Sequence, residues 1–376
     1  MASAVPDRII SADCHINEPP HVYDSVPAKL KDRAPKMLRG DDGGDGWSFD
    51  GKAPKRTFGI EATAGRAGGD KKMSGLRFDE ILPGNYEGKA HVEDMRKDGV
   101  DVSVVYPAYA IHTYVMEDRE LAIACMRSYN DWVLGEFQGA DPDRLVGLPL
   151  VPVDDGMDAC LAEFDRSLEA GAKAVLIPGL PTRPYHDRYY DPLFARATEA
   201  DISLNFHRTF GGRGQEADWD GIADLKVTAG GTVWRFFSSI RPFTYLIYGG
   251  VFDRHPKLKI VGAEVNFGWL PFWIQMMEQN FDVRTELKDA TLETTRRPLE
   301  HMGKNLFVTI LDDAVGFEQI AAHPWLADCA MWSSDYPHSV TLWPDSKKHL
   351  ATLGKNVSDQ AMAKITHENA AKVYGV

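Results

Sequence analysis

The chain has 376 residues, of which 44% are hydrophobic and 26% are charged, a composition typical of a globular protein. Its formal charge of −13 argues against nucleic acid or an anionic membrane as the main partner, because both bind basic surfaces. No apolar run is long enough for a transmembrane helix, and residues 1–14 lack the pattern of a signal peptide. We therefore expect a soluble, cytoplasmic homo-oligomer that binds a small molecule.

Four cysteines are spread along the chain, at Cys14, Cys125, Cys160 and Cys329. They form no Cys-x-x-Cys pair, so their spacing predicts neither a disulfide framework nor a zinc ribbon. We expect four reduced thiols.

Eight short apolar runs rich in β-branched residues recur along the chain, and most are followed by a stretch with helical apolar spacing. The runs are 8–12, 100–106, 145–150, 174–177, 202–206, 258–262, 306–310 and 330–332, and the helical stretches are 121–137, 156–170, 193–200, 234–248 and 269–281. Strands that alternate with helices predict a parallel α/β sheet. Eight such units predict a single (β/α)8 TIM-barrel domain over residues 1–376, and no Gly-x-Gly-x-x-Gly follows the first run to indicate a dinucleotide fold.

Two segments interrupt this alternation. About residues 16–90 separate the first two strands, and the Gly-rich segment 208–232 follows the fifth strand. Both would lie on the C-terminal face of a barrel, where long loops form lids and substrate walls. We interpret residues 16–90 as a mobile lid inserted into the barrel domain rather than as a separate domain.

Acidic and histidine side chains follow four of the predicted strands. Asp13 and His15 end the first strand and share one of its faces, because residues i and i+2 point the same way. The other members of this set are Glu18, His207 after strand five, Glu264 after strand six and Asp335 after strand eight. Because TIM-barrel enzymes carry catalytic groups at these strand ends, the set predicts a metal site.

These six side chains are four carboxylates and two imidazoles, a harder ligand set than that of most zinc hydrolases. Four carboxylates would neutralise two divalent cations, whereas clustering them without a metal would raise their pKa values. The same numbers of ligands occur in the di-iron and di-manganese sites of helical bundles, which is a chemical analogy on an unrelated fold.

Other polar residues near the strand ends are candidates for catalysis or substrate binding. His338 follows Asp335 by three residues and either orients a ligand carboxylate or stabilises a turn. Tyr106 ends the second strand and His112 follows it, so we take both, with Asp335 and His338, as candidate catalytic residues. Arg208 either binds an anionic substrate group or pairs with a surface acid.

Three further residues invite structural interpretations. His255 precedes the sixth strand, so we expect it at the opposite face of the barrel, where residues serve stability. Asp312 and Asp313 follow the seventh strand, and capping of the next helix is their expected role.

With these residues in place, the chain resembles the amidohydrolase-related family, which includes aminocarboxymuconate semialdehyde decarboxylase and the resorcylate-type decarboxylases. The segments that carry the resemblance are 10–20, 205–207, 255–259, 268–271 and 333–338. The resemblance implies that Asp13, His15 and His207 bind metal and that Asp335 is a ligand or a catalytic group. The sequence departs from the family at Glu264, where many members have histidine, and in its Asp-x-His first motif. Residues 176–178 also offer no lysine that could be carboxylated to bridge two metals.

The carboxylate-rich set resembles the dinuclear non-haem iron oxygenase branch of this family, which includes natural-product hydroxylases. That resemblance implies two divalent ions, expected to be iron, bound by the six residues at the strand ends. The implied activity is that of a monooxygenase, an oxidoreductase that uses O2 and an electron donor to hydroxylate a small apolar substrate.

Two alternatives remain open. One is a mononuclear zinc- or manganese-dependent decarboxylase or hydrolase that uses His15, His207 and Asp335 with Asp13 or Glu18. The other is a catalytically silent barrel that binds a ligand or a partner subunit. Consumption of O2 would separate the oxygenase from the decarboxylase.

Overall fold

The computed structural model describes residues 5–208, 212–213 and 228–376. These residues form ten strands in chain order: β1 (Ile10–Ile16), β2 (Lys36–Arg39), β3 (Asp45–Ser48), β4 (Val102–Pro107), β5 (Leu145–Gly147), β6 (Ala174–Leu176), β7 (Ser203–His207), β8 (Ile260–Ala263), β9 (Leu306–Ile310) and β10 (Ala330–Trp332). Each of the eight predicted runs overlaps one of β1 and β4 to β10. The remaining two strands form an antiparallel hairpin in the segment after β1.

The eight parallel strands close into a TIM barrel. They pair in two groups, β1-β4-β5 and β6-β7-β8-β9-β10. At one seam, the backbone N–H of Leu176 donates to the carbonyl of Pro149 at 2.8 Å. At the other seam, the N–H of Asp335 donates to the carbonyl of Asp13 at 3.1 Å, and that of His15 to Tyr336 at 2.6 Å. The predicted fold is therefore confirmed.

Helices alternate with the barrel strands. The α-helices are α1 (Ala28–Lys31), α2 (Gly88–Asp98), α3 (Arg119–Trp132), α4 (Met157–Glu169), α5 (Asp191–Glu199), α6 (Thr228–Trp234), α7 (Ile240–Tyr248), α8 (Val251–Arg254), α9 (Leu270–Glu286), α10 (Ala314–Gln319), α11 (Leu326–Cys329), α12 (Ser346–Leu353), α13 (Asp359–Ala363) and α14 (Asn369–Tyr374). The expected helix over 234–248 is broken, because a 3₁₀ turn at Arg235–Phe237 separates α6 from α7. None of the described helices is long and apolar enough to cross a membrane.

The strands are apolar because both of their faces are covered, by the barrel interior on one side and by the helices on the other. Val104, Val146, Val175 and Val308 are fully buried, one in each of four strands. All four cysteines are buried, and none is in a disulfide bond in the described part of the chain.

The segment between β1 and β4 packs onto the barrel mouth instead of standing apart from it. Its hairpin residue Trp47 and its loop residues Phe58 and Leu76 belong to the same hydrophobic core as the strands. The other predicted loop, the Gly-rich segment 208–232, lies largely outside the described residues, since only 208, 212–213 and 228–232 are described.

Candidate metal centre

Four buried side chains meet at the C-terminal mouth of the barrel. The Nε2 atom of His15 lies 3.4 Å from Oδ1 of Asp13 and 3.2 Å from Oδ1 of Asp335. The Nε2 atom of His207 lies 3.8 Å from the same Oδ1 atom of Asp13. Strands β1 and β7 and the turn after β10 thus bring together residues that are far apart in sequence.

The local backbone conformation explains why these side chains point towards one another. Asp13 and His15 occupy alternate positions of β1, and Cys14 between them points the other way, where its Sγ atom contacts the hydroxyl groups of Ser103 and Ser334 at 3.3 Å. Asp335 has a φ of 50°, in the left-handed region that non-glycine residues seldom adopt. This conformation turns the chain sharply after β10 and places the Asp335 side chain beside His15.

The donor atoms fit a divalent cation. Among the described residues, His15 Nε2, His207 Nε2, Asp13 Oδ1 and both Asp335 carboxylate oxygens are buried without a hydrogen-bond partner. Buried polar atoms without partners are costly, and a bound cation removes that cost. Asp13, His15 and His207 form one possible ligand group, and His15, Asp335 and His338 form a second. Because both groups contain His15, they describe adjoining parts of one site.

The charges at the centre also favour a cation. Burial, followed by the charges of Asp335 and Glu264, raises the pKa of Asp13 well above its usual value. Burial lowers the pKa of His15 to about 4 and that of His207 well below its ordinary value. Both imidazoles are therefore neutral near pH 7, which is the form that binds metals.

Thr309 on β9 fixes the orientation of Asp13. Its hydroxyl donates to Oδ2 of Asp13 at 2.9 Å and accepts the backbone N–H of Glu264 at 2.6 Å. Such a contact leaves the other carboxylate oxygen, Oδ1, facing the histidines. Nothing in the sequence pattern singled out this threonine, because it lies inside a strand rather than at its end.

Glu18 does not join the centre, which corrects its prediction as a ligand. Its carboxylate accepts the backbone N–H groups of Tyr109 at 2.9 Å and Ala110 at 2.8 Å. These bonds turn both oxygens towards the loop after β4. Burial raises the pKa of Glu18 to about 7, and its contacts give it a structural role in linking β1 to that loop.

Glu264 lies at the edge of the centre and is already paired. One of its oxygens forms an ion pair with Arg208, and the other lies 3.4 Å from Nε2 of His207. The Arg208 guanidinium also stacks over the Phe236 ring, 4.6 Å from its centroid. Arg208 was expected either to bind an anionic substrate group or to pair with a surface acid. In the structure it pairs with an acid, but that acid, Glu264, is buried.

His338 lies directly against the centre. Its Nδ1 atom is 3.2 Å from Oδ1 of Asp335, and its ring stacks on that of His15 with centroids 3.8 Å apart. Burial acts to lower its pKa, but the charges of Asp335 and Glu264 outweigh burial and raise that pKa.

Tyr106 and His112 differ in their access to the mouth of the barrel. Tyr106 is fully buried beneath the two metal-facing histidines and donates its hydroxyl to Oδ1 of Asn205 at 3.3 Å. It does not line the cavity, so the prediction that Tyr106 is a catalytic pocket residue is corrected. His112, in the turn Ala110–Val115, does line the cavity.

The other polar residues have structural contacts. His255 Nε2 lies 3.1 Å from a carboxylate oxygen of Asp191, away from the mouth. Asp313 caps α10 by accepting the N–H of Gly316 at 3.0 Å. Asp312 instead lies 3.4 Å from Nε2 of His349.

A cavity of about 500 Å³ opens from the centre, a volume within the usual range of ligand pockets. Its inner end is formed by His15, His207, Arg208, Glu264, Asp335 and His338. Its walls include Trp47 and Phe49 of the segment after β1, and Ile111 and Met116 of the loop after β4. The segment predicted as a lid therefore supplies part of the cavity wall.

The matching family model identifies the chain. Residues 12–376 match the family described as amidohydrolase. The chain therefore belongs to the amidohydrolase family, and this membership makes it an enzyme.

Individual relatives refine this comparison. The chain is 28% identical over 258 residues to the decarboxylase orsB of Emericella nidulans. The aligned region covers 66% of this chain and 74% of that protein. An amidohydrolase structure from Mycobacterium avium subsp. paratuberculosis covers 98% of both chains, with a TM-score of 0.77 and 21% identity. A dihydroxybenzoic acid decarboxylase from Polaromonas, solved with manganese and 2-nitroresorcinol, covers 98% of this chain and 97% of its own, with a TM-score of 0.64 and 16% identity.

These relatives overturn the main functional prediction. The curated relatives are decarboxylases, which are lyases, and not oxygenases. The prediction of an iron monooxygenase, an oxidoreductase, is wrong, and the decarboxylase alternative is favoured. The physical reason is visible in the site: Glu18 is held by backbone N–H groups and Glu264 is paired with Arg208, so fewer carboxylates are available than two irons would need.

Proposed function

We propose that this enzyme is a divalent-metal-dependent decarboxylase of a hydroxyaromatic or similarly unsaturated carboxylic acid. One observation carries the proposal: the unpartnered atoms of His15, His207 and Asp335 lie at the inner end of a cavity that His338 also lines. The unpartnered Oδ1 atom of Asp13 lies 3.4 Å from His15 and 3.8 Å from His207. The similarity to decarboxylases supports the choice of reaction.

In this proposal the centre holds one ion. Asp13, His15, His207 and Asp335 would hold it, and manganese or zinc suits a mixture of carboxylate and imidazole ligands. A bound divalent cation would supply Lewis-acid polarisation of substrate oxygens.

Decarboxylation requires one proton for each carboxylate lost. In the proposed step, His338 gives a proton to the carbon that carries the carboxylate. The electron pair of the breaking C–C bond then returns to the unsaturated system, and CO2 leaves. The charges of Asp335 and Glu264 raise the pKa of His338, which favours the protonated form that a general acid needs, and His338 regains a proton from solvent through the cavity.

Arg208 and the cavity walls orient the substrate in this proposal. Arg208 lines the inner end, and its contacts with Glu264 and Phe236 hold its guanidinium in place. Guanidinium N–H groups other than the one paired with Glu264 donate to a substrate oxygen, and the aromatic rings of Trp47 and Phe49 pack against an apolar body.

The test is to incubate the manganese-loaded enzyme with a panel of hydroxybenzoates and unsaturated carboxylic acids while CO2 release and O2 consumption are recorded together. CO2 release with an equal amount of the protonated product, and without O2 consumption, is the expected result. O2 consumption coupled to a hydroxylated product would contradict the proposal.

A further inference from the structure

The outer part of the cavity has a chemistry different from that of its inner end. Three cations occur within five residues of the segment after β1, at Lys52, Lys55 and Arg56, and all three line the cavity. We refer to them as the cationic rim. Apolar residues, among them Phe49 and Val115, lie in the same wall.

Two members of the rim are balanced by carboxylates and one is not. Lys52 pairs with Glu117 at 2.7 Å, and Arg56 pairs with Glu61 at 3.0 Å. Lys55 is exposed and forms no ion pair with any residue in the described part of the chain. The rim therefore presents to the cavity one positive charge that no described residue neutralises.

The field of the rim reaches into the cavity. His112 lies deeper in the wall, with its ring 5.5 Å from that of Phe49. Burial lowers the pKa of His112 to about 4, and the next causes are the positive charges of Lys55 and Arg56. His112 is thus neutral near pH 7. The positive charges in this part of the cavity are therefore those of the lysine and arginine side chains and not that of an imidazolium.

We propose that the cationic rim binds a second anionic group of the substrate, at the end opposite to the carboxylate that is lost. This inference rests on the proposed function and narrows its substrate class to elongated acids with an anionic group at each end of an apolar body. The distal group is a carboxylate or a phosphate, since both accept charge-assisted hydrogen bonds from lysine and arginine.

Three probes test the inference through their binding to manganese-loaded His338→Gln, which lacks the proposed proton donor and so does not consume them. Each is a 2-hydroxybenzoate with an alkyl chain in the 4-position, ending in a carboxylate, a phosphate or a neutral carboxamide. Calorimetry on this variant should show about tenfold tighter binding of at least one anionic probe than of the carboxamide. The tighter anionic probe identifies the distal group, and the preference should weaken as salt is raised.

Charge reversal at Lys55 supplies the matched comparison. Lys55→Glu should remove the preference for an anionic end and leave the affinity for the carboxamide probe unchanged, which also shows that the variant is folded. Lys72→Glu is the control, because Lys72 is exposed on the same segment and does not line the cavity. Equal affinities for all three probes, or a preference that survives in Lys55→Glu, would overturn the inference.

The two proposals fail separately. A preference for anionic ends without release of CO2 from any probe would support the cationic rim as an anion site and count against decarboxylation. Release of CO2 from all three probes, bound with equal affinity, would support decarboxylation and count against the rim as an anion site.

Discussion

The inner and outer parts of the cavity are built in different ways. The inner end is formed by residues at strand ends, so the geometry of the closed barrel fixes Asp13, His15 and His207 relative to one another. The outer wall comes from the segment after β1, where short turns and one hairpin position the rim. In the proposed reaction the barrel would hold the reacting group, and the inserted segment would contact the rest of the substrate.

Removing a metal-facing histidine should have the largest effect on the inner end. His207→Ala deletes an Nε2 atom of the centre, so we expect metal content well below one ion per chain and loss of detectable decarboxylation. Elemental analysis after dialysis measures the first, and CO2 release measures the second. Full metal content in His207→Ala would remove His207 from the ligand set.

His338 is expected to affect the reaction more than metal binding. His338→Gln keeps a polar side chain but cannot deliver a proton, so kcat should fall by about 10²–10⁴-fold, the usual contribution of a general acid. The metal content should stay that of the unaltered enzyme. A variant that retains full kcat would show that another group supplies the proton.

Thr309→Val tests whether the hydroxyl group of Thr309 orients the Asp13 carboxylate for metal binding. The substitution preserves shape but removes the hydroxyl group that donates to Oδ2 of Asp13. Loss of such a supporting contact typically weakens metal binding by about 10–100-fold, which competition with a chelator measures. Unchanged affinity would mean that the backbone alone orients the carboxylate.

Glu18→Ala should have the smallest effect on chemistry. It leaves the buried N–H groups of Tyr109 and Ala110 without an acceptor, at a cost of about 1–3 kcal/mol in the free energy of unfolding. Metal content should not change. Urea denaturation tests the stability, and a loss of bound metal in the folded variant would return Glu18 to the ligand set.

The sequence predicted the inner end far better than the outer wall. Strand ends follow from the apolar pattern, which placed Asp13, His15, His207 and Asp335 on one face of a barrel. Glu18 was misjudged because its distance from His15 in sequence says nothing about which backbone N–H groups its oxygens meet. The segment after β1 has no periodicity, so Lys55 in its wall could be found only in the three-dimensional structure.

The prediction of an iron monooxygenase was wrong for the same reason as the prediction for Glu18, because both lacked the directions of side-chain oxygens. It counted four carboxylates, but a count does not show where their oxygens point. The pairing of Glu264 with Arg208 depends on the positions of two strand ends that no residue spacing reveals.

The most direct test of the account is the number of metal ions in the enzyme purified without added metal, with Glu18→Gln and Asp13→Asn as paired variants. We expect about one divalent ion per chain, as in a centre with a single open metal position, unchanged in Glu18→Gln and reduced in Asp13→Asn. About two ions per chain, with one lost in Glu18→Gln, would contradict the single-metal centre.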